Sequence, residues 1–263
     1  MNDLKIWLEN LHSQMKSLGL ADPDNKPEPA ECENCCESLS YTWVQHTSFG
    51  RWARDECPSC NKKRREEKCR EREIAALTGA GVPREFWGHS VGHPVTRDQF
   101  NETAYDVISL WKQPSWLLFV GTVGTGKTSL ITSLFNNLLL KRSLWGGARW
   151  TTEASIFERA DIAHENAGYT ARQAVVAPLI RAPLLVIDDI GASRRSLTEW
   201  QGSAMRNLFD VRYSNGLPTF MTSNITSQKA LAARYGDHIY SRITSATGGP
   251  LILGGPDRRK HGS

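Results

Sequence analysis

An apolar run, Leu117-Leu118-Phe119-Val120, passes directly into Gly121-Thr122-Val123-Gly124-Thr125-Gly126-Lys127-Thr128, and a helical pattern follows from Ser129 to Leu140. A strand that enters a G-x-x-x-x-G-K-T loop and leaves as a helix is the context a phosphate-binding loop requires. Its glycines let the backbone curl until successive N–H groups face one phosphate, and the helix N-terminus adds partial positive charge. Lys127 is placed to reach the outer phosphates and the Thr128 hydroxyl to ligate Mg²⁺. Gly121 to Ser129 is therefore the expected nucleotide-binding segment, with ATP as its ligand.

A chain of 263 residues has room for one large domain, or a medium one with a small appendage. With 40% hydrophobic and 23% charged residues it has an ordinary globular composition. The absence of an apolar run of membrane-spanning length, and of a signal pattern over Met1 to Leu11, predicts a cytoplasmic protein without a membrane partner. There the six cysteines are expected to be thiols, which favours metal ligation over disulfides. A net charge of +4 permits contact with nucleic acid without arguing for it.

Four regions can be separated. Leu4, Trp7, Leu8, Leu11, Met15 and Leu18 are spaced three and four apart, predicting an amphipathic helix over 1–20 that must dock to be stable. A Pro-rich linker, 21–30, leads to a cysteine-rich stretch, 31–60. Residues 61–77 mix both charges at helical spacing, as a solvated helix does. From residue 78 to 263 strand and helix patterns alternate, with strands at 115–120, 148–152, 184–188, 218–223 and near 250–253. Helices are predicted near 97–112, 127–141, 153–164, 170–180 and 197–214. Such alternation implies an α/β domain with a parallel sheet, so the predicted domains are 1–77 and 78–263.

Two strand ends carry further chemistry. Leu184-Leu185-Val186-Ile187-Asp188-Asp189 is a buried-strand pattern ending in two carboxylates. Beyond a phosphate loop this is a Walker B pattern, with Asp188 suited to hold Mg²⁺ and Asp189 to orient or deprotonate the attacking water. An aspartate base is shorter than the glutamate of many ATPases, so slow hydrolysis is expected. Phe220-Met221-Thr222-Ser223-Asn224 ends in a polar amide, which either polarises that water or caps the next helix in competition with Thr226 and Ser227.

The cysteines form two C-x-x-C knuckles, Cys32/Cys35 and Cys57/Cys60, close to zinc-ribbon spacing. Each can offer two thiolates to one tetrahedral Zn²⁺. Cys36 is a possible substitute for Cys35, His46 is a spare, and Cys69 falls in the charged helix. The aromatics between the knuckles, Tyr41, Trp43, Phe49 and Trp52, are expected to form the miniature core of this module, with base stacking as the alternative.

Gly81-Val82-Pro83-Arg84-Glu85-Phe86 resembles the entry of the DnaC/DnaI-type AAA+ ATPases, the bacterial helicase loaders. The phosphate loop, Pro183 to Gly191, Arg212-Tyr213, Thr222-Ser223-Asn224 and the stretch Tyr235-Gly236-Asp237 to Ser241-Arg242 match in the same order, so the resemblance covers roughly 79–245. It implies a lidless AAA+ sheet of order 5-1-4-3-2 and assembly into an oligomer in which each site is finished by a neighbour. Arg242 is then the expected arginine finger, with Arg234 the lesser candidate, and Val82 and Pro83 border the adenine. The resemblance further implies ATP-controlled binding to a hexameric DnaB-type helicase and to single-stranded DNA, and an N-terminal zinc module that grips the helicase. Arg194-Arg195, Arg159 and Arg172 are candidate DNA contacts. Transposition ATPases of the IstB type share nearly the same core and define the alternative, together with a non-hydrolysing nucleotide-sensing adaptor.

Overall fold

The computed structural model describes residues 13, 24, 26–33, 35–45, 50–92, 94–95, 97–111, 116–141, 146–192 and 196–258. The apolar positions of the expected N-terminal helix lie outside these residues, as do His46, Phe49, Arg194 and Arg195. Among the described residues, no helix is long and apolar enough to cross a membrane. The chain divides into two compact units, 1–72 and 73–263.

The first unit is built from very short elements. Strands β1 (Ala30–Glu31) and β2 (Ser38–Leu39) pair antiparallel, and β3 (Tyr41–Gln45) pairs with β4 (Gly50–Arg54) as a hairpin. Trp43 and Trp52 face each other across the hairpin, ring centroids 5.4 Å apart and edge to face. These rings are only half-buried, and Tyr41 is too. The buried cluster is instead Cys32, Leu39 and Cys57, with Cys60 packed against it. Among the described residues, the aromatics thus stand outside the buried cluster.

Helix α1 (Pro58–Ala80) opens on a proline, tolerated in a first turn, and only Leu77 and Ala80 along it are buried. It stops where the Val82 N–H donates to the Leu77 carbonyl at 3.0 Å and Gly81 adopts φ +84°. A side chain could not stand there, since a Cβ would lie 2.8 Å from the Trp150 carbonyl oxygen.

In the second unit, a 3₁₀ turn (Arg84–Phe86) and a minimal parallel pair, β5 (Ser90–Val91) and β6 (Pro94–Val95), precede α2 (Glu102–Ser109). The predicted helix over 97–112 is trimmed because Asp98 accepts from the Phe100 and Asn101 N–H groups and holds a turn ahead of it. The remaining elements alternate: β7 (Leu117–Gly121), α3 (Lys127–Lys141), β8 (Arg149–Thr152), α4 (Glu153–Arg181), β9 (Leu185–Ile190), α5 (Glu199–Ser214) and β10 (Thr219–Ser223). Helices α6 (Gln228–Tyr235) and α7 (Asp237–Thr247) and the strand β11 (Leu251–Leu253) follow. Strands β7 to β11 form one parallel sheet of order β11-β7-β10-β9-β8.

Both faces of this sheet are covered, and period-two alternation divides its side chains between two cores. Leu118, Val120, Leu185, Ile187 and Met221 point into one, with Leu208 and Phe209 of α5. Leu117, Phe119, Val186 and Phe220 point into the other, with Leu130, Ile131 and Phe135 of α3. Within α4, Ala167 and Gly168 leave helical geometry, Gly168 at φ +76°, so two helices meet in the gap between the predicted 153–164 and 170–180.

Among the described residues, Arg212 is the largest fully buried side chain. Its Nε donates to Thr219 Oγ1 at 2.8 Å, Nη1 to the carbonyls of Leu179, Ala182 and Ile180 at 2.9, 2.6 and 3.3 Å, and Nη2 to that of Pro218 at 2.6 Å. Burial draws its pKa down to about 9, still leaving it charged at neutral pH. One guanidinium thus ties the end of α4 to the entry of β10, and Lys, with three donors, cannot serve all these acceptors. Arg212→Ala, which leaves buried carbonyls without donors, is expected to cost about 3–5 kcal/mol. Urea unfolding would measure this, with Arg212→Lys recovering only part of the loss.

Candidate nucleotide site and cysteine cluster

At the C-terminal edge of β7, β9 and β10 the structure brings five predicted residues together, Lys127, Thr128, Asp188, Asp189 and Asn224. Gly124 (φ +82°) and Gly126 (φ +91°) give the loop its curl. Thr125 braces it by donating to the Thr122 carbonyl at 2.9 Å, while Val123 projects into solvent. Lys127 is buried, and its Nζ donates to the carbonyls of Gly121 (2.9 Å) and Thr122 (2.8 Å) and to Asn224 Oδ1 (2.8 Å). Ser129 lies in the first turn of α3, where its carbonyl accepts from Ser133.

Thr128 Oγ1 donates to Asp188, 3.0 Å from Oδ1 and 3.2 Å from Oδ2. A hydroxyl and a carboxylate in contact at the mouth of a phosphate loop are a fitting oxygen pair for Mg²⁺. Burial pushes the Asp188 carboxyl above its ordinary range and the neighbouring Asp189 charge adds to this. Hydrogen bonds from Thr222 and Thr128, and the charge of Lys127, oppose the shift.

Asp188 and Asp189 both serve the site because β9 bulges there. Ile187 pairs with Met221 and Ile190 with Ser223, so two aspartates stand opposite Thr222. Asp189 absorbs the extra residue at φ +56°, a conformation aspartate tolerates better than most. Thr222, to which the sequence reading gave no role, holds the bulge. Its Oγ1 donates to Asp188 Oδ1 at 2.6 Å and accepts from the Asp189 N–H at 2.8 Å. The available signal was a threonine one strand over from two adjacent carboxylates.

Asn224 Nδ2 donates to Asp189 Oδ1 at 2.6 Å while its Oδ1 accepts from Lys127. The cap of α6 is Ser227, whose side chain accepts from Ala230 N–H. Of the two roles weighed for Asn224, helix capping is therefore taken by another residue.

The two arginines of the Tyr235 to Arg242 stretch lie in different settings. Arg234 is 2.5 Å from the buried Glu153, whose carboxylate also accepts from Tyr235 Oη and from the Gly191 N–H at 3.2 Å. It is committed within its own chain, and Glu153, the first residue of α4, was not singled out by the sequence. Arg242 Nε lies 2.7 Å from Asp210 Oδ1, and its guanidinium stacks 5.1 Å from the Tyr213 ring. These partners are on α5, so the structure does not bring Arg242 into the five-residue cluster. Arg172 is likewise engaged, paired with Asp161 and stacked 4.1 Å from Trp200, whereas Arg159 is exposed.

In the first unit Cys32, Cys35, Cys57 and Cys60 place all four sulfurs within 4.8 Å of one another. Cys32–Cys60, Cys35–Cys57 and Cys35–Cys60 are 3.7, 3.4 and 3.6 Å apart. A tetrahedral ion with Zn–S bonds of about 2.3 Å requires sulfurs about 3.8 Å apart, so the set fits zinc. The Cys60 N–H points at Cys57 Sγ, 3.5 Å away, as in a metal knuckle. Cys36 takes φ +57° in the turn after Cys35 and is exposed, as is Cys69, so neither joins the cluster.

The five-stranded parallel sheet, entered through the G-x-x-x-x-G-K-T loop with an acidic strand end and a polar amide beside it, is an α/β fold shared with replication proteins of known structure. It is the fold of DnaC and DnaI. The DnaC helicase loader superposes with a TM-score of 0.53 at 21% identity, covering 65% of this chain and 100% of that one. DnaI gives 0.52 and 21%, covering 66% and 95%. The replication initiator DnaA bound to AMPPCP and single-stranded DNA gives 0.51 and 17%, covering 66% and 51%. No protein-family model matches the chain. Among curated proteins, the uncharacterized protein YqaM of Bacillus subtilis (strain 168) is 25% identical over 182 residues, 63% of this chain. The match spans 55% of that relative's own length.

Proposed function

We propose that this chain is an ATP-dependent loader that places a hexameric DnaB-type replicative helicase on single-stranded DNA. The observation that carries the reading is the continuous network Lys127–Asn224–Asp189 and Thr128–Asp188–Thr222, mounted on a loader-type fold. The P-loop binds the ATP phosphates, and Thr128 and Asp188 hold Mg²⁺. Asp189 accepts the proton of the attacking water while Asn224, touching both Lys127 and Asp189, registers whether the terminal phosphate is present. Zn²⁺ on the four cysteines folds the N-terminal module, the part that grips the helicase. ATP then acts as an assembly switch within an oligomer, and slow hydrolysis releases the partner. DnaC is described as a helicase loader and DnaA has been solved with AMPPCP and single-stranded DNA, which supports the same partners here.

The test is to mix the chain with hexameric replicative helicases, with ATP and with ADP, and measure complex mass. A complex that forms with ATP and dissociates with ADP is expected. Failure to form one with any of them in either state would overturn the reading, and capture of a transposase instead would point to the IstB type.

Arg242 is proposed to finish a neighbour's site, exchanging Asp210 for the γ-phosphate. Arg242→Ala is expected to leave ATP affinity within about twofold and to slow turnover by about 10³-fold, the scale of an arginine finger. Unchanged turnover in a steady-state assay would leave Arg242 a structural partner of Asp210.

A further inference from the structure

After β11 the chain turns back across the phosphate loop. The Arg258 N–H donates to the Gly124 carbonyl at 2.9 Å. A Cβ built on Gly124 would fall 1.9 Å from Asp257 Oδ1 and 2.9 Å from Asp257 Cα. One built on Gly126 would meet Arg258 Cδ at 3.3 Å and Nε at 3.4 Å. The two positive-φ glycines of the loop therefore have this strap, and not open space, where a side chain would stand. Gly255, at φ +95°, seats the strap, because Phe100 occupies the place of its Cβ, with Phe100 Cγ at 2.6 Å.

The guanidinium is also held from behind. Arg258 Nη2 lies 2.6 Å from Asp98 Oδ2, and Asp98 Oδ1 accepts from the Phe100 and Asn101 N–H groups at 2.8 and 3.1 Å. Burial works to raise the Asp98 carboxyl, but the Phe100 N–H and the Arg258 guanidinium outweigh it and hold the group below its ordinary range. Asp98 is thus a fixed anion that orients a cation. The Nη2 corner faces Asp98, and the Nε side lies against Gly126, the residue that precedes Lys127. A guanidinium has five donors in a rigid fork, so it can keep a carboxylate on one edge and take a phosphate oxygen on another.

We propose that Arg258 is a phosphate ligand of the bound nucleotide, supplied by the same chain and oriented by Asp98. This rests on the nucleotide-binding reading of the P-loop. It gives each site a cation in cis in addition to Lys127, distinct from the one Arg242 would present to a neighbour.

Calorimetric titration of the full chain with Mg-ATP and Mg-ADP tests it, with the parent, Arg258→Ala, Arg258→Lys and Lys127→Ala compared. Arg258→Ala is expected to weaken both nucleotides by about 10- to 50-fold, the range for loss of a charge-assisted hydrogen bond. The nucleotide-free melting temperature should not move, and Lys should restore part of the affinity. Alanine affinity within twofold of the parent would overturn the inference while leaving the nucleotide reading intact. A parent that binds neither nucleotide would overturn both. If the alanine variant melts early, Arg258→Gln, which keeps the aliphatic stem against Gly126, is judged by the same twofold criterion.

Discussion

Replacing Lys127 with alanine is expected to abolish measurable ATP binding, a loss of at least about 100-fold in affinity. The ammonium is buried and already desolvated, and three acceptors at 2.8–2.9 Å aim it along the loop. A phosphate arriving there meets a charge in a low-dielectric setting, where it counts for far more than on the surface. The loss also reaches the Walker B strand. Lys127 opposes the upward shift of the Asp188 carboxyl, so without it the carboxylate proposed to hold Mg²⁺ is protonated at a higher pH. Equilibrium dialysis across a pH series would show both effects. ATP affinity retained within tenfold would remove the nucleotide reading.

The second large effect is expected from metal removal. Among the described residues, the buried cluster of the first unit holds one leucine and cysteines, too little apolar area to repay the entropy of ordering its strands. Zinc bound to four thiolates supplies about 10–16 kcal/mol, enough to hold such a fold outright. A chelator, or Cys57→Ser, should therefore unfold the first unit and weaken partner binding. Nucleotide affinity should survive, since the P-loop lies in the other unit. Cys36→Ser, outside the sulfur cluster, should do nothing. Hydrogen exchange of the two units would read the difference. Protection of the first unit that survives chelation would exclude the metal.

Chain regions differed in what their residues disclosed. Strand β7 and its loop were readable because a run of four apolar residues against a Gly-rich turn has few other solutions. Strands β9 and β10 were readable for the same reason, being buried on both faces. The bulge at Asp188–Asp189 was not, since nothing local distinguishes it from a regular strand end. Only the partner strand, through Thr222, shows that both carboxylates face one site. The Tyr235 to Arg242 stretch was readable as a motif but α6 and α7 were not readable as helices, because Gly236 at φ +84° divides them into short pieces. The hairpin of the first unit was hidden for a different reason. Its Trp43 and Trp52 looked like core residues, and their partly open position follows from a topology that sequence spacing does not encode.

Gly236 has a mechanical meaning beyond ending a helix. On its N-terminal side, Arg234 and Tyr235 are bolted through Glu153 to the backbone of Gly191, two residues after Asp189. On its C-terminal side, α7 carries Arg242, which pairs with the partly exposed Asp210, stacks on Tyr213 and lies 3.4 Å from His238 Nε2. On the proposed reading, a displacement of the Walker B strand end passes through α6 to a single residue without a Cβ, and what a site communicates to the next subunit crosses this joint to α7, which Ile239 and Ile243 seat in the core. Gly236→Ala would then uncouple neighbouring sites while leaving each of them able to hold its nucleotide.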